Sequence, residues 1–387
     1  MKEKQRVIGA VLCVCLLLSC FAAGGETLSE AQKASAYSTL YSLSMMKGEY
    51  QDALDYAEKS LALDDVLDDA ARADLLLKKG YVLIYLERSE EAMACLDQSL
   101  ALAPNTADAM LLKTQLLIAG GDAEGAFAQA AAYIAAFPDD TSVYYTMGDL
   151  FGASGAFEQA ARAYTLYLEK TAVPEALAYQ LRGQYYLQTG RYQEAEADLT
   201  KYLDGAQDGA AHARYLRAIA RMQMGDYAGA EADLTLCCDA MDAAQAGEAF
   251  DADVLNSFYY RGIARMQLKR YAEAIADFDR CVAEGREADN ARFWRGNCYL
   301  ETAAYESAIA DFEHCVSVGT DPDTANYYIG VCRMSMSDYP AAIEAFTVCI
   351  DGKFMLAQSL YNRGMCYLQL GDNDKGQADL SASLALE

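Results

Sequence analysis

The sequence predicts an all-α protein that is built from pairs of helices repeating about every 34 residues. Three observations support this prediction. A glycine recurs at a constant interval, at Gly262, Gly296, Gly330 and Gly364. Apolar residues between these glycines follow helical spacing. The composition is rich in Ala, Leu and Tyr and contains only five prolines in 387 residues, which favours helices over strands.

The repeat is clearest in four aligned segments, which begin at Arg182, Arg261, Arg295 and Arg363 and read RGQYYLQTGRYQEAEADL, RGIARMQLKRYAEAIADF, RGNCYLETAAYESAIADF and RGMCYLQLGDNDKGQADL. A glycine column and a small-residue column lie twelve residues apart. The first comprises Gly80, Gly148, Gly183, Gly262, Gly296, Gly330 and Gly364, and the second comprises Ala92, Ala160, Ala195, Ala274, Ala308 and Ala342. Such columns let two antiparallel helices approach closely, and the pairs must stack because one pair cannot bury its own apolar face.

This pattern resembles the tetratricopeptide repeat (TPR) family over about residues 34–387. The resemblance implies a right-handed α-solenoid of about ten helix–turn–helix repeats, the third of them degenerate, with Thr114 in the glycine column. We expect repeats one to six in residues 34–253 and repeats seven to ten in residues 254–387. An acidic, Ala-rich insertion at about 240–254 separates them and is a candidate hinge. The last repeat ends without the capping helix that many such arrays add, so its apolar side is a candidate self-association surface.

The first 19 residues have the pattern of an export leader. Lys2, Lys4 and Arg6 precede an apolar stretch over residues 7–18, which is too short to span a bilayer comfortably. It runs into Leu17-Leu18-Ser19-Cys20, which resembles a bacterial lipobox and implies that Cys20 is diacylated, with residues 20–33 as a short tether. Cleavage near Gly24 and an uncleaved anchor are the two alternatives. We therefore expect an extracytoplasmic protein that meets the membrane only through its N-terminus or is secreted.

A second spacing predicts ion pairs within the repeats. An arginine on the first helix precedes an aspartate on the second by 16 residues, and where one is missing so is the other: Met147 occurs with Ala163, and Ile329 with Ala345. Joint gain and loss indicates contact, because one partner alone would leave a buried charge. The predicted structural pairs are Arg182 and Asp198, Arg217 and Asp233, Arg261 and Asp277, Arg295 and Asp311, and Arg363 and Asp379.

Three cysteine pairs join the second helix of one repeat to the first helix of the next. They are Cys281 and Cys298, Cys315 and Cys332, and Cys349 and Cys366. The simpler interpretation is that cysteine serves as a small buried hydrophobe, since Ala264 occupies the column of Cys298. The alternative is a series of disulfides, which an extracytoplasmic location would favour.

The sequence predicts neither catalysis nor a cofactor. Only two histidines occur, His212 and His314, and they fall in different repeats. There is no nucleophile, phosphate-loop or zinc-protease motif, and no CxxC metal spacing. The net charge of −26 argues against a nucleic-acid partner, because such a surface repels phosphate backbones.

In TPR proteins the first helices line a concave groove, and the residue three before the glycine column faces it. That resemblance implies a groove that is rich in aromatic, methionine and amide side chains and suited to an extended peptide or helix. Packing between neighbouring helices is the alternative role for these residues. The candidate groove residues are Tyr145, Tyr215, Tyr259, Phe293, Asn297, Tyr327, Tyr361, Met266 and Gln267.

These patterns favour a non-catalytic scaffold for protein–protein or protein–peptide interaction at the outer face of a bacterial membrane. A self-assembling envelope protein and a glycan- or cell-wall-binding module, in which tyrosines would stack on sugar rings, are the alternatives.

Overall fold

The computed structural model describes residues 28–63, 67–205, 210–244 and 250–386. The described residues form twenty α-helices and no strand, arranged as ten consecutive pairs. The first helices are α1 (Glu30–Lys47), α3 (Asp69–Tyr85), α5 (Ala107–Ala119), α7 (Ser142–Ala153), α9 (Ala176–Gln188), α11 (Ala210–Gln223), α13 (Ser257–Gln267), α15 (Ala288–Glu301), α17 (Pro322–Ser335) and α19 (Leu356–Gln369).

The second helices follow their partners after two or three residues. They are α2 (Tyr50–Leu61), α4 (Ser89–Leu102), α6 (Ala123–Ala136), α8 (Phe157–Lys170), α10 (Tyr192–Gly205), α12 (Tyr227–Ala243), α14 (Tyr271–Glu284), α16 (Tyr305–Val318), α18 (Tyr339–Asp351) and α20 (Asn373–Leu384). The predicted all-α repeat fold of ten helix pairs is therefore confirmed.

The chain divides into two compact units, an N-terminal unit up to Ala178 and a C-terminal unit from Tyr179 onward. The predicted boundary between residues 253 and 254 lies inside the C-terminal unit. Part of the acidic insertion extends α12 as far as Ala243, and a 3-10 turn, Val254–Asn256, leads into α13. Residues 245–249 of the insertion lie outside the described residues.

The first helix begins at Glu30, earlier than the predicted start of the repeats at residue 34. A capping box accounts for the earlier start. The Gln32 backbone N–H donates to the Ser29 hydroxyl at 3.3 Å, and the Ser29 N–H donates to the Gln32 side-chain oxygen at 2.9 Å. These two bonds satisfy N–H groups that a helix start otherwise leaves unpaired.

Each pair turns through one residue with a left-handed backbone. Glycine supplies it at six turns, for example Gly190 with φ +75°. Four turns use other residues, which bear the steric cost of this conformation. Those four are Glu87, Lys269, Ala303 and Ser337. The left-handed conformation is therefore required at every one of these turns, whichever residue occupies it, and glycine adopts it with the least steric strain.

At the glycine column a large side chain of the second helix lies directly on the first helix. It is a leucine at Gly80, Gly183 and Gly364 and an aromatic ring at Gly148, Gly262, Gly296 and Gly330. A Cβ built on Gly262 would lie 2.7 Å from Cε1 of Phe278, and one built on Gly330 would lie 2.7 Å from Cε1 of Phe346. Both rings are fully buried. The small-residue column on the second helix is equally enclosed, with Ala274 and Ala308 at 0% exposure. Close approach of the two backbones therefore forms the core of each repeat.

Candidate functional site

The structure brings together all five predicted arginine–aspartate pairs. In each pair the guanidinium donates two hydrogen bonds to one carboxylate, and the aspartates are at most 9% exposed. Because both oxygens are engaged in this forked geometry, the pairs fix the first helix against the second. The shortest nitrogen–oxygen distances are 2.6 Å for Arg182 and Asp198, 2.7 Å for Arg217 and Asp233, 2.7 Å for Arg261 and Asp277, 2.6 Å for Arg295 and Asp311, and 2.7 Å for Arg363 and Asp379.

A second arginine column, which the sequence analysis missed, links neighbouring repeats. Nε of Arg221 on α11 lies 2.8 Å from Oε1 of Glu196 on α10, while its Nη1 lies 2.8 Å from Oδ2 of Asp233. One repeat later, Nε of Arg265 on α13 lies 2.9 Å from Oε1 of Glu231 on α12. The sequence signal for this contact is an arginine four residues after the arginine of the ion pair. It occurs together with a glutamate two residues before the ion-pair aspartate of the preceding repeat.

Three of the candidate groove residues pack inside their own repeat. Tyr259, Phe293 and Tyr327 are partly buried, and their ring edges contact phenylalanines of the second helices. Ring centroids are 6.2 Å apart for Tyr259 and Phe278, 5.9 Å for Phe293 and Phe312, and 5.8 Å for Tyr327 and Phe346. These rings thus contribute to packing, the alternative role given to them in the sequence analysis.

The other candidate groove residues differ in environment. Tyr145 is partly buried, with its ring centroid 5.3 Å from that of Tyr164. The Asn297 amide donates to the Phe293 carbonyl on its own helix at 2.9 Å, so one of its donors is used internally. Tyr361 is 51% exposed. Met266 is partly buried and Gln267 is exposed.

Tyr215 lines a cleft of about 300 Å³ on the first helices of the C-terminal unit, which we call the α11 cleft. Its wall combines apolar, amide and aromatic side chains with one carboxylate. It is lined by Leu187, Gln188, Tyr192, Tyr215, Leu216, Ile219, Gln223, Asp253 and Tyr260. Tyr215 itself is only 6% exposed and its ring centroid lies 5.7 Å from that of Tyr260, so it forms part of the floor of the cleft.

A larger cleft of about 510 Å³, the α3 cleft, lies on α1, α3 and α5 of the N-terminal unit, where the sequence analysis named no site residue. Extending the groove column to Gly80 would have found it, since Leu77 lies three residues before this glycine and Tyr81 directly after it. It is lined by Tyr41, Asp74, Leu77, Lys78, Tyr81, Asp108, Leu111, Leu112 and Gln115.

The nine cysteines among the described residues are free, buried thiols. Cys315 donates to the Asp289 carbonyl at 3.8 Å, and Cys349 donates to the Asp323 carbonyl at 3.9 Å. These acceptors belong to the first helix of the same repeat. Ser99 occupies the same column and donates to the Ala73 carbonyl at 2.8 Å. The column thus selects a small donor that joins the two helices of one repeat.

Burial raises the pKa of these thiols, to about 12 for Cys298 and about 11 for Cys332 and Cys366. Folding therefore favours the protonated thiol, and this stabilisation is complete below the ordinary pKa of 9.0 and lost as pH rises toward 11.

We expect the urea concentration at the midpoint of unfolding to decrease as the pH is raised from 8 to 10.5. The decrease should be smaller when these three cysteines are changed to alanine, the residue found at Ala264. Equal pH dependence in parent and variant would contradict the role of thiol burial. At pH 8 a thiol reagent should react slowly with the native chain and completely in urea.

The two histidines each lie near one aspartate. Nε2 of His314 is 2.9 Å from Oδ1 of Asp289, and Nδ1 of His212 is 3.4 Å from Oδ2 of Asp251. Within the described ranges, no group of three or more His, Cys, Asp or Glu side chains is arranged to hold a metal ion. In the same part of the chain, none of the helices combines the length and apolar character needed to cross a bilayer.

Comparison with known proteins adds a family match. A model described as tetratricopeptide repeat matches residues 77–141, 145–211, 182–236 and 259–316, which is more than half of the chain. A second model of the same description matches residues 357–387. No curated protein matches the sequence.

Solved structures that resemble this chain have low sequence identity to it. A tetratricopeptide repeat protein from Parabacteroides merdae is 18% identical with a TM-score of 0.38, covering 67% of this chain and 98% of its own. The C-terminal part of a TPR repeat-containing protein from Cytophaga hutchinsonii is 15% identical with a TM-score of 0.48, covering 63% and 93%. A structure of Naa15/Naa10 bound to HypK-THB is 13% identical with a TM-score of 0.48, covering 92% and 64%.

Proposed function

Because the chain belongs to the tetratricopeptide repeat family, we propose that it is a non-catalytic scaffold that binds a protein or peptide through its first helices. The observation that carries this proposal is the α11 cleft. Its aromatic and apolar walls carry the exposed amides Gln188 and Gln223, a combination that suits an extended peptide with both side-chain and backbone contacts.

A binding test should change groove side chains that are exposed and should leave those that pack in the core. Tyr259, Phe293 and Tyr327 pack against buried phenylalanines, so changing them would disturb folding as well as binding. Gln188, Gln223, Gln267 and Tyr361 are exposed on the first helices. Substituting these four changes the surface and leaves the core intact.

We expect the fourfold variant Gln188→Ala, Gln223→Ala, Gln267→Ala, Tyr361→Ala to lose a protein that the parent captures from a bacterial envelope extract. The matched control changes three exposed residues of the second helices, Leu236, Val318 and Val348, to alanine. Both variants should keep the parent's helical signal. A partner lost equally from both variants, or from neither, would contradict binding through the first helices.

We further propose that the scaffold is held at the extracytoplasmic face of a bacterial membrane by lipid on Cys20. The support is the charged and apolar leader followed by the lipobox-like residues, all of which lie outside the described residues. With Cys20→Ala, we expect the chain to leave the membrane fraction and to stop incorporating labelled palmitate. Unchanged membrane association without palmitate labelling of the parent would instead indicate an uncleaved anchor.

A further inference from the structure

The α3 cleft has the exposed ring of Tyr81 beside an apolar floor, and Tyr85 lies against Tyr81 outside the lining of the cleft. Tyr81 and Tyr85 are 45% and 50% exposed, and their ring centroids are 5.6 Å apart. Tyr50 stacks on Tyr85 at 4.6 Å with nearly parallel planes. The side chains of Leu77 and Leu111 line the cleft next to Tyr81. Exposed ring faces of this kind attract cations through their quadrupole, and an apolar floor accommodates an alkyl stem.

The charges of the cleft leave one carboxylate uncompensated. Nζ of Lys78 lies 2.7 Å from Oδ2 of Asp74, so these two lining residues neutralise each other. Asp108 is exposed at the start of α5, and no basic side chain of the described residues lies within ion-pair distance of it. The cleft therefore offers a negative charge to a ligand, within a chain whose net charge is −26.

We propose that the α3 cleft binds an arginine side chain of a basic, extended peptide segment. The guanidinium would pair with Asp108 and lie against the ring face of Tyr81, while its methylene groups cover Leu77 and Leu111. A planar guanidinium suits both contacts, because it pairs with carboxylates and stacks on aromatic rings. The acidic surface of the chain accelerates the encounter with a basic partner. This inference rests on the proposed scaffold function and gives the chemical class of the partner.

The test measures binding of the purified chain to a fluorescent Gly-Arg-Gly-Arg-Gly-Arg-Gly peptide. A peptide with citrulline in place of arginine is the neutral isostere. We expect Asp108→Asn to weaken arginine-peptide binding about tenfold, the effect of losing a charged hydrogen bond. Tyr81→Ala should weaken it about twofold to fivefold, and Tyr81→Phe should retain binding because the ring face remains.

Asp52→Asn is the matched control for charge. Asp52 is also an exposed carboxylate in the first turn of a helix, but it lies on the second helix α2. The proposal is overturned if Asp52→Asn and Asp108→Asn weaken binding equally, because the peptide would then respond only to general acidity. Equal binding of the citrulline peptide overturns it as well.

A third outcome would assign the cleft to a different ligand class. Displacement of the peptide by a cell-wall oligosaccharide, together with loss of binding in Tyr81→Phe, would indicate a sugar site and overturn the arginine assignment. Failure here is distinguishable from failure of the scaffold function. If Asp108→Asn still captures the envelope partner while the fourfold first-helix variant does not, the scaffold function stands and this cleft is not its recognition site.

Discussion

Changing Asp277 to alanine is expected to lower the free energy of unfolding by about 3–5 kcal/mol, the cost of leaving one charge of a buried pair without its partner. Asp277 accepts hydrogen bonds from Arg261 and from Arg265, and Arg261 is only 8% exposed. Without Asp277, Arg265 still pairs with Glu231, whereas Arg261 loses the carboxylate with which it forms its ion pair. The measurement is a urea titration followed by the fluorescence of Trp294, the single tryptophan.

The chain itself supplies the control for this prediction. Repeat four carries Met147 and Ala163 in the same two columns. The double variant Arg261→Met, Asp277→Ala has the same two residue types as repeat four and no longer contains the unpaired guanidinium of Arg261. We expect it to be more stable than Asp277→Ala alone by at least about 2 kcal/mol, because a buried pair can be replaced by apolar residues at little cost. A double variant less stable than the single one would contradict the pairing argument.

Changing Gly262 to alanine is expected to destabilise the C-terminal unit by about 1–3 kcal/mol, the usual cost of overpacking a filled core. The new Cβ would lie 2.7 Å from the Phe278 ring. Because this ring is fully buried, it has no free space into which it could shift. Trp294 reports on this region, because its indole N–H donates to the Tyr259 hydroxyl on the same helix as Gly262, at 3.1 Å.

Gly352→Ala is the matched control for this substitution. Gly352 directly follows α18 as its C-cap with φ −76°, and the nearest atom to an added Cβ is a backbone oxygen at 3.4 Å. We expect a change within about 0.5 kcal/mol, as is usual for surface substitutions. If the two alanine substitutions destabilise the chain equally, then the loss of glycine's backbone flexibility, and not contact with the ring, would explain why glycine occurs at Gly262.

The fold could be predicted from the sequence because each repeat is a local structure. The glycine and alanine columns report contacts between helices that are separated by only a short turn, so a fixed spacing corresponds to a fixed contact. The 16-residue separation of Arg261 and Asp277 is of this kind. Each contact within a repeat recurs along the chain. A repeat in which both charged residues are replaced together, as by Met147 and Ala163, therefore also indicates that the two positions are in contact.

The candidate site was harder to predict because its contacts cross from one repeat to another. Arg265 and Glu231 are 34 residues apart across the insertion, whereas Arg221 and Glu196 are 25 apart, so the separation of the two partners is not constant and only their offsets from the arginine–aspartate columns indicate the pairing. Tyr259 lies on the predicted groove face, yet its ring turns toward Phe278, and a residue's column does not determine its rotamer. The α3 cleft depends on three helices from three repeats and on which carboxylate lacks a partner.

The glutamate that joins repeats six and seven also bears on how the array unfolds. Glu231 is 9% exposed and accepts hydrogen bonds from Arg265 and Arg270 of the next repeat, as Glu196 does from Arg221 one repeat earlier. In a linear array, stability is the sum of the intrinsic terms of the repeats and the coupling between nearest neighbours. Strong coupling at two successive junctions makes partly melted states of repeats five to seven costly. We therefore expect these three repeats to unfold together as one cooperative block.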